Sequence, residues 1–189
     1  KITKNVFREL TSGRPRPVGI EVPQNIWAQK SVGLDTYISQ KIEMEVDEDS
    51  LKQAALWLAK ATNPMVVVGS GAIECQRDIK RLAELLSAPV VAFRNGKGIL
   101  DSRNDLACAM PEGHALWRDT DVVIAIGTRL QPQRMGWGID NELKIIHIDV
   151  DQTELGRNGG ADLEICAYAQ DTLSILCDKI EPINKKRDL

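Results

Sequence analysis

Several places along this chain put residues able to hold an anion or a sugar directly after an apolar run. Gly69, Ser70 and Gly71 follow Met65–Val68 and precede a helical pattern. Glycine there lets the backbone approach a pyrophosphate, and a helix N-terminus supplies N–H donors and positive potential. The dinucleotide fingerprint needs a third small residue where this chain has Glu74, whose carboxylate would repel a phosphate on that turn. A plain strand-to-helix turn is therefore the competing reading. Gly127, Thr128 and Arg129 follow Val122–Ile126, and an arginine beside Thr128 and backbone N–H groups could hold a diphosphate. Arg129 could equally form a salt bridge at a domain interface, and Arg134 is a second cation on the same loop. Asp149 closes the run Ile145–Ile148, where a carboxylate can accept both hydroxyls of a ribose. Asp151 reads as the N-cap of a helical turn through Thr153–Gly156. Gly96-Lys97-Gly98 lacks the leading glycine and trailing hydroxyl of a P-loop, leaving a phosphate contact or a turn with a solvated lysine.

No catalytic constellation emerges. Ser70 lies in Gly-Ser-Gly, not in the Gly-x-Ser-x-Gly elbow, and has no histidine near it in sequence. His114 reads as a helix-start or interface residue, and His147, inside an apolar run, as a core histidine with its hydrogen bond satisfied. Cys75, Cys108, Cys166 and Cys177 form no Cys-x-x-Cys pair, and two histidines complete no zinc spacing, so no metal site is expected. The cysteines read as reduced and half-buried. Trp57 and Trp117 read as helix packing, while Trp137, on a loop between two glycines, reads by default as a loop anchor, with an exposed indole at an interface or in a flat ring stack as the alternative.

The elements that position these residues alternate in type. Ile2, Val6 and Leu10 make one helical stripe, ended by Gly13 and by Arg14-Pro15-Arg16-Pro17. Val18–Val22 then alternates as a strand up to Pro23, and residues 31–46 form a connecting arm. Asp47–Ser50 opens a helix carrying Leu51, Ala54, Ala55 and Leu58, with acids first as the helix dipole prefers. Apolar runs at Met65–Val68, Pro89–Ala92, Val122–Ile126, Ile145–Ile148 and Leu163–Ala167 alternate with helical stretches. These include Ile79–Leu86, a short one near His114–Arg118, and a last helix capped by Asp171. Runs without a polar face suit strands covered on both sides. The expected fold is α/β: a doubly wound, mostly parallel sheet of five or six strands, with helices on both faces in the Rossmann-like manner. In such sheets ligands sit outside the carboxyl ends of the strands, where the glycines and acids above fall.

At 189 residues with a formal net charge of −3, the chain allows one well-buried domain plus an appendage, or two small domains, and has no basic footprint for nucleic acid. No apolar stretch approaches the roughly 20 residues that span a bilayer, and no signal-peptide pattern opens the chain, so a cytoplasmic location is expected. Lys185-Lys186-Arg187 reads as part of a solvated tail over residues 183–189.

Two sets of motifs, in order, resemble the thiamine diphosphate-dependent enzymes of the acetolactate synthase and benzoylformate decarboxylase superfamily. Gly13-Arg-Pro-Arg-Pro-Val18-Gly-Ile-Glu-Val-Pro23 is similar to the stretch that closes their pyrimidine-binding domain, with Arg16 where a glycine is usual. Asn63-Pro64, Gly69-Ser-Gly71, Gly96-Lys-Gly98, Thr120–Gly127, Ile146–Asp151 and Leu155–Asn158 are similar to their central domain. The resemblance divides the chain into the end of a pyrimidine-binding domain (1–30), the arm (31–46), a central domain (47–182) and the tail.

The resemblance also implies chemistry. Thiamine diphosphate and Mg²⁺ would sit between the pyrimidine-binding and diphosphate-binding domains of a homodimer or homotetramer that acts on 2-oxo acids as a transferase or lyase. The activating glutamate would precede residue 1 and the metal motif would follow residue 189, leaving this stretch without catalytic residues. Its part would be scaffold and interface, with FAD or ADP held in some members. Relative to the flavin-binding pattern, Met110-Pro-Glu-Gly-His114 replaces Gly-Met-His-Gly, and Arg129-Leu-Gln-Pro-Gln-Arg134 lacks the acids of Arg-Phe-Asp-Asp-Arg.

Overall fold

A computed structural model describes residues 2–30, 33, 44–138, 142–185 and 187. The chain falls into two compact units, Lys1–Glu43 and Met44–Leu189.

In the first unit α1 spans Ile2–Thr11. Gly13, at φ +60°, takes the left-handed conformation that ends a helix cheaply, and the prolines behind it forbid another turn. The strand expected over Val18–Val22 is not formed: residues 15–23 are irregular, with Val18, Ile20 and Val22 all exposed. An alternating segment needs a neighbouring ladder to become a strand, and residues 2–30 supply none. A short 3₁₀ turn, Gln24–Ile26, follows. Most of the expected connecting arm lies outside the described residues.

The second unit carries the sheet. Asp47 caps α2 (Glu48–Lys60), its carboxylate accepting from the N–H groups of Asp49 and Ser50. Then follow β1 (Pro64–Val68), α3 (Gln76–Leu86), β2 (Val90–Ala92), β3 (Ala107–Cys108), α4 (Met110–Trp117), β4 (Val122–Ile126), α5 (Gln131–Gly136), β5 (Lys144–Asp149), β6 (Leu163–Cys166) and α6 (Ala169–Ile180). The six strands run in the order β3-β2-β1-β4-β5-β6 and every pairing is parallel, as the apolar runs demand.

Alternate residues divide the core. Val66, Val68, Ile124, Ile126, Ile146 and Ile148 face a larger cluster with Leu51, Leu58, Ile79, Leu82, Leu173 and Leu176 from α2, α3 and α6. Met65, Val67, Val123, Ala125 and Ile145 face the other side, with Trp117, Leu130 and Leu143. Both faces are thus closed by apolar side chains, each worth about 1.5–3 kcal/mol when fully buried.

Several local expectations need correction. Asp171 lies in the first turn of α6 rather than capping it; the cap position is Tyr168, and Thr172 Oγ1 donates back to its carbonyl. Asp151 starts a run of turns, not a helix, with Oδ1 accepting from Thr153 N–H and Oγ1–H. Arg134 belongs to α5, a helix that Pro132 and Gly136 conceal in the sequence. Trp137, by contrast, packs as a loop anchor does: it is half-buried, stacked on His114 at 5.3 Å and edge-on to Trp117, whose Nε1–H donates to Gly138 O. Arg187 is half-buried and hydrogen-bonded, so the tail is not simply solvated. No helix among the described residues is long and apolar enough to cross a membrane.

Candidate functional site

Strand order reverses between β1 and β4, which places the loops after β1, β4 and β5 side by side at the carboxyl edge. Gly69, Ser70, Gly71, Gly127, Thr128, Arg129 and Asp149 all lie on these loops or at these strand ends. The structure therefore gathers residues that are up to 80 positions apart (69 to 149) at one edge of the sheet.

The glycines meet one another. Gly69 N–H donates to Ile126 O at 3.1 Å, Gly71 N–H to Gly127 O at 3.0 Å, and Gly127 N–H to Ile148 O at 2.9 Å. A Cβ on Gly69 would lie 2.4 Å from Gly127 O, and one on Gly71 would lie 2.7 Å from Gly127 Cα. One on Gly127 would lie 2.5 Å from Gly71 Cα, and its φ of +55° is itself unfavourable for an L side chain. Gly96 packs beneath the same knot, its notional Cβ 2.6 Å from Val68 O. The backbone-to-backbone contact explains why glycine stands at each place. Ser70 is exposed and begins the 3₁₀ turn Ser70–Cys75 that leads into α3. Glu74 accepts from Gln170 Nε2 at 2.7 Å, which ties that turn to α6.

The charged residues have partners inside the unit. Arg129 Nε lies 3.3 Å from Glu154 Oε2, and Arg157 Nη1 lies 2.7 Å from Glu154 Oε1. The Glu154 side chain is 1% exposed, whereas those of Arg129 and Arg157 are 50% and 58% exposed. A carboxylate so far from water needs cationic partners, and it has two. Arg129 thus makes a salt bridge inside this unit, a different contact from the domain-interface bridge expected from sequence. Asn158 Nδ2 donates to Arg129 O at 2.9 Å and fixes the loop's backbone. Glu154 and Arg157 were not singled out from sequence. Their signal is an acid buried in a turn three residues before an arginine, visible only once the turn is known.

Thr128 and His147 form a second pair. Thr128 O lies 2.8 Å from His147 Nε2; a carbonyl only accepts, so Nε2 carries the proton. Burial pushes the His147 pKa down, against the opposing pull of that hydrogen bond and of Asp149. Asp149 itself is buried, and its Oδ1 accepts from Asp151 N–H at 2.9 Å. Arg134 Nη2 donates to Gly160 O, and desolvation pushes its pKa below the usual arginine value. Lys97 is exposed beside Gly98, a glycine at φ +90° with open space around it.

Phosphate-binding capacity at this edge is unevenly spread. The N–H groups of Gly69 and Gly71 are taken by carbonyls of the neighbouring strands and loops, which does not fit a Gly-rich phosphate cradle. The outer edges of Arg129 and Arg157 do fit an anion, because two guanidinium charges share one carboxylate. No group of three or more His, Cys, Asp or Glu side chains among the described residues could hold a metal ion.

Comparison with known proteins sets this geometry in a family. Residues 51–176 match the family model described as thiamine pyrophosphate enzyme, central domain. The probable acetolactate synthase large subunit of Methanocaldococcus jannaschii is 31% identical over 185 residues, covering 88% of this chain and 31% of that protein. The acetolactate synthase isozyme 1 large subunit of Escherichia coli is 26% identical, covering 96% of this chain and 34% of its own length. Acetolactate synthase 1, chloroplastic, of Nicotiana tabacum is 27% identical, with 88% and 27% covered. The chain spans about a third of the length of these relatives. With the six parallel strands and their helices accounted for by the matched stretch, the chain belongs to the thiamine pyrophosphate enzyme central-domain family.

Proposed function

We propose that this chain acts as a non-catalytic scaffold and interface domain in a thiamine diphosphate- and Mg²⁺-dependent enzyme acting on 2-oxo acids. The parent is an acetolactate synthase-like carboligase or decarboxylase, a cytoplasmic homodimer or homotetramer. Thiamine diphosphate and the metal sit on its pyrimidine- and diphosphate-binding domains, which are this domain's partners. The observation that supports the scaffold reading is the wiring at the strand ends: Gly69, Gly71, Gly127 and Glu154 hold loop to loop, and Asp149 braces its own turn. Similarity to acetolactate synthase large subunits supports the reaction class.

A second reading, an FAD- or ADP-binding module, draws on Arg129 and Arg157. Together they carry one positive charge in excess of Glu154 and are half-exposed beside the carboxyl edge, where a diphosphate would meet them. In this reading Arg129 and Thr128 face the diphosphate, Asp149 faces the ribose, and Gly69, Ser70, Gly71 and Gly127 shape the turn beneath. The group bound there would supply binding energy and interface rigidity.

Thermal unfolding with excess FAD, ADP, or thiamine diphosphate plus Mg²⁺ separates the two. A ligand at a hundredfold excess over its dissociation constant adds about 2.7 kcal/mol, a rise of several degrees in a chain of this size. The scaffold reading expects no change with any of the three. A rise with FAD or ADP that Arg129→Ala abolishes establishes the nucleotide module instead. A rise with thiamine diphosphate overturns the placement of that coenzyme on other domains.

A further inference from the structure

Every helix leaves its last carbonyls without intrahelical partners, and where those ends are half-buried something must satisfy them. The ends of α2 and α3 both lie at the amino edge of the sheet, opposite the candidate site, because each runs directly into a strand. Their bookkeeping leads to one short stretch of chain.

At α3, Ser87 takes the left-handed conformation (φ 49°), its N–H donating to Ala83 O and Glu84 O, while Ala88 N–H donates to Ala83 O at 2.9 Å. This is a Schellman-type ending, and it leaves Leu85 O and Leu86 O unclaimed by the helix. Asn184 Nδ2 donates to Leu85 O, and Arg187 Nη1 to Leu86 O at 3.3 Å. At α2 the helix stops at Ala61, whose N–H still reaches Trp57 O. The next two N–H groups, of Thr62 and Asn63, turn instead to the Asp121 carboxylate at 2.6 and 2.9 Å. That diversion strips Leu58 O and Ala59 O of the partners a longer helix would give them. Arg187 replaces them: Nη2 donates to Leu58 O at 2.7 Å and to Ala59 O at 3.1 Å, and Nε donates to Ala61 O at 2.9 Å. Asn184 Oδ1, accepting from Arg187 Nη1 at 2.9 Å, holds the guanidinium in place.

From this arrangement we infer that Asn184 and Arg187 form a strap, in which Arg187 latches the C-terminal ends of α2 and α3 to each other. A guanidinium suits the task because its five donors lie in one rigid fork and its charge opposes the negative ends of two helix dipoles. Asp121 works from the other side, so the turn between α2 and β1 has its N–H groups held by a carboxylate and its carbonyls by a cation. The strap is thus a conformational device: while it is latched, the entry to central strand β1 is fixed, and when it is released the ends of both helices fray.

The test compares thermal unfolding and amide hydrogen exchange of the full chain with Arg187→Ala, Arg187→Lys and Lys185→Ala. Arg187→Ala is expected to lower Tm by roughly 4–8 °C and to speed exchange at Ala61, Thr62 and Asn63 at least tenfold, with β5 amides slowed or sped only as global stability dictates. Arg187→Lys, which keeps the charge but not the fork, is expected to recover less than half of the lost Tm. Lys185→Ala, removing an exposed neighbour, is expected to match the parent. An unchanged Tm in Arg187→Ala, or an equal fall in Lys185→Ala, overturns the latch. Full recovery by Arg187→Lys also overturns it, leaving only a charge near two helix ends.

Discussion

His147 is 6% exposed and gives its Nε2 proton to Thr128 O, so the folded chain holds this imidazole neutral in a place that resists charging. The unfolded chain has no such restraint and binds a proton near the ordinary histidine value of about 6.5. Since the folded pKa lies below the unfolded one, the unfolded state takes up the extra proton first as pH falls. The contribution of His147 to stability is therefore complete above the unfolded value and is lost as pH drops from there toward the folded value. The unsubstituted chain is expected to melt at a lower temperature at pH 5.5 than at pH 7.5. His147→Gln, whose side-chain amide can still donate to Thr128 O but cannot titrate, should lose less over the same interval. Melting curves of both proteins at the two pH values check this; parallel losses would show that other groups carry the pH dependence. Glu154 poses the complementary problem at the same edge, a buried carboxylate paired with two arginines rather than a buried base paired with a carbonyl.

At the scale of elements, the loops after β1 and β4 determine whether the sheet closes at its switch point. Gly127 combines a φ of +55° with a backbone neighbour 2.5 Å from its notional Cβ, whereas Gly98 has a φ of +90° and open space. Gly98→Ala therefore carries conformational strain alone, about 1–2 kcal/mol, while Gly127→Ala adds a clash that only movement of a strand-end loop relieves, for a total of about 2–4 kcal/mol. Urea unfolding of the two variants should rank them in that order, and equal losses would mean that the Gly71–Gly127 contact is looser than drawn here. The strand runs themselves were legible because burial on both faces leaves no polar position in Val122–Ile126 and only His147 in Ile145–Ile148. The same uniformity hid which residues face α2, α3 and α6, since a run without alternation carries no facing information. β3 was missed because the pair Ala107–Cys108 is too short to show a pattern, and α5 because its proline and glycine mimic a loop. The candidate residues could be picked as strand-end residues. Their partners could not, because the Gly69–Gly127 packing and the Arg129–Glu154 pair exist only after the strands are ordered.

At the scale of the molecule, burial is divided unequally between the two units. Among the described residues of the first, residues 2–30 and 33, none is buried, and Ile2, Phe7, Ile20, Ile26 and Trp27 are exposed. Among the described residues, every buried apolar residue of the core lies at Leu51 or later. Stability scales with apolar area removed from water, and the described residues of the first unit bury no apolar side chain. A chain starting at Met44 is expected to melt within about 2 °C of the full chain, a shift equivalent to less than 1 kcal/mol at this size. It should also be the less prone of the two to self-associate, because it lacks the apolar face of α1. Calorimetry with light scattering on the two lengths decides the matter. A fall of more than about 5 °C in the shorter chain, or loss of its cooperative transition, would mean that residues 1–43 contribute to the core after all. A cut at the other end separates the two ends of the chain: removing residues 183–189 deletes no core side chain among the described residues but takes away Asn184 and Arg187, and so should cost more than removing all of residues 1–43.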